Sequence, residues 1–191
     1  MLSRDEYREI YKMFDRVSPF PYDCGKRCNS ICCRADAFPE SHLFLYIFPG
    51  EEALHDQSDP WLRWEVQRTK DHYIPSSWGE SFLTVSCHGP ETCKRSLRPI
   101  QCRSFPLEPH LTPDGRLQLI YCNFYIPYTC PIIREKLPFS REYLENVYAA
   151  WKKLMSDPLI WDYVKEVSDT RTSLALENQL VYEPEQAGTS Q

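Results

Sequence analysis

The sequence predicts an α+β fold in a single domain: a small antiparallel sheet and loop-rich cysteine knots around a metal site, flanked by N- and C-terminal helices. Three observations predict it. Helical periodicity is confined to the two ends of the chain. Short aromatic and branched runs broken by Pro and Gly fill the middle. Of nine cysteines, Cys24, Cys28, Cys32, Cys33, Cys87, Cys93 and Cys102 fall into two knots within that middle.

Taken in order, Ser3-Arg4-Asp5-Glu6 is a capping box, with Leu2 placed to staple onto Tyr7 and an apolar face through Ile10, Tyr11 and Phe14. Ser18-Pro19-Phe20-Pro21 ends that helix and leads the chain to Cys24. Residues 42–48, from His42 to Phe48, read as a strand buried on both faces; Pro49-Gly50 closes it, and residues 51–54 start a short helix or turn. Residues 61–74 and 82–87 supply two more strands, the second running into Cys87. Thr112-Pro113-Asp114-Gly115 marks a hairpin between residues 107–110 and 116–121, because Pro presets the turn and Gly accepts positive φ. The return strand ends at Cys122, and the proline-broken aromatic run from Phe124 to Ile133 cannot be a regular helix. It reads either as core filling or as a dry wall beside a metal. Ser140 caps a long helix bearing Leu144, Val147, Tyr148, Trp151, Leu154 and Met155. Asp157-Pro158 opens another carrying Ile160, Tyr163, Val164 and Val167. The single domain spans 1–182, followed by a polar, disordered tail over 183–191.

At 191 residues the chain suits one domain and can bury a core. No run approaches the ~20 apolar residues of a membrane span, and Met1-Leu2-Ser3-Arg4-Asp5 lacks the apolar stretch of a signal peptide. A cytoplasmic protein is expected, away from membranes. In that reducing compartment clustered cysteines read as metal ligands or redox groups rather than disulfides. A net charge of −5 argues against a general nucleic-acid binder. Within the knots, however, Lys26, Arg27, Arg34, Lys94, Arg95, Arg98 and Arg103 face only Glu91. Several thiolates leave a metal site negative, and burying that charge calls for nearby cations.

Cys24, Cys28 and Cys32 recur every fourth residue, so a helix would place them in one drifting column, with Cys33 about 100° away and free to serve another metal. The second knot carries Cys87, Cys93 and Cys102, and Cys122 at the strand end joins them as a candidate ligand. Thiolate-rich sites suit zinc, Cu(I) or iron–sulfur clusters, and neither knot shows the paired Cys-x2-Cys spacing common in zinc fingers. Longer gaps, an adjacent Cys-Cys and nearby arginines favour a [4Fe–4S] centre, with zinc as the alternative. Arg98 and Arg103 bracket Cys102 and read as cofactor-binding donors that tune the centre. His88 reads as a turn residue and Cys130 as a small hydrophobe.

Cys32-Cys33, Cys93, Arg98-Pro99 and Cys102-Arg103-Ser104-Phe105-Pro106 together resemble the YkgJ-type cysteine-cluster family of zinc- or iron-chelating proteins, over roughly residues 24 to 130. The upstream gaps of three and three depart from that family's commoner two and two. The resemblance implies a metal or iron–sulfur protein, related in cysteine pattern to an S-adenosylmethionine-dependent flagellin lysine methylase. Three functions stay open. One is an iron–sulfur or metal-binding protein for redox or metal-handling work, served by a redox or metal-delivery protein partner. The others are a methyl transferase and a zinc-stabilised interaction module. No hydrolytic residue set and no phosphate-binding glycine loop stands out, and no catalytic residue is assigned.

Overall fold

The capping box closes as expected. Ser3 N and Oγ donate to Glu6 Oε2 at 2.8 and 2.7 Å, Glu6 N donates to Ser3 Oγ at 3.3 Å, and α1 runs Arg4–Asp15. This computed structural model describes residues 1–15, 19–34, 37–38 and 43–185. Ser18 of the proline lead-in, His42 of the aromatic run and residues 186–191 of the tail lie outside the described residues. Tyr7, Ile10, Tyr11 and Phe14 are buried along one face of α1, which packs on α5.

The middle region builds two antiparallel three-stranded sheets among the described residues, where one was expected. The first holds β1 (Leu45–Tyr46), β2 (Leu62–Arg68) and β3 (Ser81–Cys87) in the order β1-β3-β2, with Leu62 opposite Cys87. The second holds β4 (Leu107–Leu111), β5 (Leu117–Tyr121) and β6 (Leu180–Tyr182) in the order β4-β5-β6. Pro109 accounts for the division. It lies within β4 and has no N–H to offer a further strand, so β4 stays an edge and the sheets cannot merge there. The hairpin forms at the expected turn, where Gly115 takes φ +80° and its N–H meets Thr112 O at 2.8 Å.

Other expectations are corrected. Of the described residues of the aromatic run, 43–48, Leu45–Tyr46 pair as strand, against β3. Beyond the proline-broken stretch a short helix, α4 (Pro131–Glu135), does form, because Pro131 occupies its first position, where no N–H is needed. β6 was not foreseen, and Glu183 after it binds Arg116 and accepts from Gln118 Nε2 at 2.7 Å, so order extends into the expected tail. α5 (Arg141–Leu154) and α6 (Pro158–Ser173) start where Ser140 Oγ accepts from Tyr143 N and Asp157 from Leu159 N. Those helices, α1 and the second sheet enclose the main core. No helix of the described residues is long and apolar enough to cross a membrane.

A smaller apolar cluster, Ile47, Trp61, Leu62 and Val85, lies on the first sheet, and Cys87, Cys93 and Leu97 pack against it. Among residues of the main cluster sits a fully buried carboxylate. Glu51 accepts from Tyr11 OH (2.7 Å) and Ile100 N (2.7 Å) on Oε1, and from Phe48 N (3.0 Å) on Oε2. The chain reaches it through Gly50, whose φ of +93° and 3.0 Å approach of a notional Cβ to Leu2 O leave no room for a side chain.

Burial pushes the Glu51 carboxyl up from 4.5 to about 7, against the pull of its Tyr11, Ile100 and Phe48 donors. The folded chain thus holds this proton more tightly than the unfolded chain. Its contribution to stability is complete below about pH 4.5 and is lost as pH rises through about 7. Glu51→Gln removes that dependence, up to roughly 3 kcal/mol across the window. In urea unfolding, the stability gap between wild type and variant should narrow steadily from the lower pH to the higher; a constant gap would refute this.

Candidate functional site

Three stretches of chain bring thiols together. The first begins at α2 (Gly25–Cys28), which Asn29 and Ser30 end by adopting left-handed φ of 53° and 51°. A 3-10 turn over Ile31–Cys33 then restarts the chain. The expected helical column of Cys24, Cys28 and Cys32 is therefore broken after Cys28, because two consecutive left-handed residues cannot continue a helix. The second stretch leaves β3 at Cys87, passes Cys93 and reaches α3 (Ile100–Ser104), which carries Cys102 and whose first N–H is held by Glu51. The third ends at Cys130, immediately before α4.

Local pairings suture the stretches. An isolated antiparallel bridge joins Arg34 to His88, and Arg34 pairs with Glu91 at 3.2 Å. Arg95 pairs with Asp23 at 2.8 Å, and Arg27 with Glu135 of α4 at 2.7 Å. The bases of the two knots therefore serve mostly as carboxylate partners that hold loops together.

All nine cysteines are free thiols. Cys33, Cys87, Cys93 and Cys102 stand within reach of one another's charge. Burial first, then Cys102, Cys33 and Cys93, pushes the Cys87 thiol up to about 12; burial pushes Cys102 up to about 11 and raises Cys93. The Cys32 and Cys33 sulfurs are 4.0 Å apart. Their hydrogen bond lowers Cys33, helped by Arg98 and Arg95, and raises Cys32. A second group comprises Cys24, Cys28 and Cys130, and Cys32 lies between the groups, feeling Cys33 and Cys102 of the first and Cys24 of the second. Burial and then Cys28 raise the Cys130 thiol, and burial, Asp23 and Cys28 raise Cys24. As placed, no three Cys, His, Asp or Glu side chains among the described residues converge to hold an ion. The donor chemistry still fits a soft metal, which replaces thiol protons as it binds.

Cys122 is not brought to either group. It is buried, its thiol raised by burial and by a hydrogen bond to Glu108. Cys130, read from sequence as a small hydrophobe, is buried in the main core cluster and also lies within reach of the charge of Cys24 and Cys28. The available signal was Cys130-Pro131, since a Cys followed by Pro closes many iron–sulfur ligand runs. Tyr128 belongs to the run read as core filling or a dry wall, and its ionisation feels Cys32, Cys122, Cys130 and Cys33, which places its ring beside both cysteine groups.

The two arginines separate. Arg103 is buried, stacks 4.0 Å over the Tyr11 ring, and donates to Asp15 Oδ1 (2.5 Å), Arg98 O (2.5 Å), Ser96 O (2.6 Å) and Tyr11 O (3.5 Å). Its donors are spent on backbone and Asp15, so it anchors the second knot to α1 and offers no fork to sulfur. Arg98 has no ion pair among the described residues, and its charge lowers Cys24, Cys33, Cys87, Cys93 and Cys102 together.

Comparison with protein-family models, with curated proteins and with solved structures finds no match for this chain. The YkgJ-type reading rests on its motif residues alone.

These placements give the arginines opposite variants. Arg103→Ala should lose roughly 2–4 kcal/mol of stability, since Asp15 and three carbonyls lose a buried donor. Arg98→Ala should change stability by less than about 0.5 kcal/mol while raising the surrounding thiols, read as a higher-pH rise in thiolate ultraviolet absorbance. Equal stability losses in the two variants would overturn the distinction.

Proposed function

We propose that this chain is a cysteine-cluster metal-binding protein holding iron–sulfur centres for redox or metal-handling work. The carrying observation is that eight free cysteines from three separate stretches, residues 24–33, 87–102 and 130, lie within reach of one another's charge, with Cys32 reaching Cys33 and Cys102 on one side and Cys24 on the other; we assign them to two sets of four. Cys33, Cys87, Cys93 and Cys102 form one ligand set around the unpaired charge of Arg98. Cys24, Cys28, Cys32 and Cys130 form the other, beside Tyr128.

Bound clusters would supply one-electron redox chemistry. The chain's own part is to release thiol protons, to offset thiolate charge through Arg98, and to restrict water. Tyr128 and Phe105, whose ring centroids are 6.4 Å apart, form an apolar wall next to the thiols. Four-sulfur sets of this kind also accept zinc. The adjacent Cys32-Cys33 pair, with one thiol assigned to each set, favours two iron–sulfur centres over an interaction module held by zinc. A redox or metal-delivery protein is the partner this function requires.

Anaerobic preparation followed by iron, zinc and acid-labile sulfide analysis tests the reading. Iron with matching sulfide and a visible chromophore is expected; stoichiometric zinc without sulfide would defeat it. Cys102→Ser and Cys130→Ser should each remove about half of the iron, one set of two, while Cys122→Ser should keep it all. Full iron in Cys130→Ser would return that residue to the core.

A further inference from the structure

A cavity of about 790 Å³ opens on the far side of the Tyr128–Phe105 wall. Well-packed interiors leave few voids larger than a water molecule, whereas small-molecule sites occupy ~300–1,000 Å³. Its lining is graded. Leu107, Trp151, Tyr163 and Val167 are buried, whereas Lys70, Tyr73 and Tyr125 are exposed and mark the mouth. Aromatic faces dominate between these ends. Tyr73 and Phe124 stack at 22°, and Tyr46 meets Tyr163 edge-on at 6.1 Å.

The hydrogen-bonding inventory decides what such a cavity takes. Its deep acceptors are engaged: Gln101 Oε1 receives Tyr46 N at 2.6 Å, and Glu108 receives Arg171 and Cys122. Its deep donors are not. Tyr163 OH accepts from Gln101 Nε2 at 3.3 Å while its own proton finds no acceptor among the described residues. The Tyr46 and Tyr128 hydroxyls make no hydrogen bond among the described residues. Arg171 is neutralised by Glu108, so the interior presents donors without free positive charge. At the mouth, Lys70 has no ion pair among the described residues, and Asp71 is turned to Arg68 at 2.8 Å.

We propose that this cavity binds a planar conjugated carbonyl compound, of the quinone class, with its ring among the aromatic walls. A neutral carbonyl oxygen meets the Tyr163 donor, and an anionic substituent meets Lys70 at the mouth. Aromatic walls favour flat rings, an unpartnered buried donor favours an acceptor, and the absence of free interior charge favours a neutral one. The site stands on its own groups and does not depend on the metal content of the cysteine sets.

Anthraquinone sulfonate serves as the probe, being flat, carbonyl-bearing and anionic without an electrophilic ring carbon for thiols. Naphthalene sulfonate, which lacks the carbonyl, is the control. Calorimetry on the full chain, with metal assayed in the same preparation, should show saturable one-to-one binding that favours the quinone. Tyr163→Phe should reduce that preference several-fold while keeping the aromatic wall. Lys70→Glu, at an exposed site that leaves folding intact, should weaken both sulfonates. Absence of saturable binding overturns the proposal, as does binding of both probes with equal affinity or binding indifferent to Lys70→Glu. These outcomes are independent of iron and sulfide content, so failure here and failure of the metal reading are told apart.

Discussion

The structure depends on the buried carboxylate of Glu51. It accepts three hydrogen bonds from three parts of the chain: Tyr11 on α1, Phe48 after β1, and Ile100 at the start of α3. A buried carboxylate is costly unless its lone pairs are filled, so these three parts are held in one relative position. α3 carries Cys102, and the same helix presents Arg103, whose guanidinium returns to Tyr11 and Asp15 of α1. The second knot is thereby bolted to the first helix at two points, by one carboxyl group and one guanidinium. Loops rich in Pro and Gly would not keep Cys87, Cys93 and Cys102 together without that anchorage.

Gathering thiols has its own electrostatic cost. Burial and neighbouring sulfur charge raise Cys87 and Cys102, and Arg98 pulls both back, joined at Cys102 by Arg103. The remaining bases of the knots are drawn into pairs such as Asp23–Arg95 and Arg34–Glu91, which join loop to loop. Exposed pairs of this kind contribute little stability individually, about 0–1 kcal/mol each. Their effect here is positional, since they set which loops lie against each other. The first sheet contributes in the same way, because Cys87 and Cys93 pack on its small apolar cluster.

The segment after β5 fills the core and also borders the cavity beyond Tyr128. Phe124, Ile126 and Tyr128 line it, Tyr128 also borders the cysteine groups, and Cys130 ends the segment among them. One proline-broken stretch thus separates an apolar chamber from a thiol-rich one. Arg171, buried against Glu108, Asn123 Oδ1 and Pro109 O, fixes the chamber's inner side from α6.

The terminal helices were legible because their information is local. Ser3 with Glu6, Ser140, and Asp157-Pro158 carry their caps within a few residues, and apolar spacing then runs on at 3.6. The 112–115 turn was legible for the same reason. Which residues are cysteines, and that they cluster in two stretches, was also plain in the chain itself. The rest depended on distant partners. β6 pairs with β5 across some sixty residues, so its short run gave no local signal. Two sheets replaced one because Pro109 terminates pairing at an edge that only tertiary contacts identify. Cys130 joined Cys24 and Cys28, and Cys122 turned to Glu108, through contacts spanning about a hundred and about fourteen residues. Arg98 and Arg103 bracket the same cysteine and look equivalent in sequence. What separates them is whether an acceptor waits in the core, and the core is assembled by α1 and Glu51. The sequence by itself thus determined helix starts, turns and where the thiols cluster along the chain, which are set within a few residues. Tertiary structure alone decided which thiols and charges face one another, because those pairings are made by long-range packing.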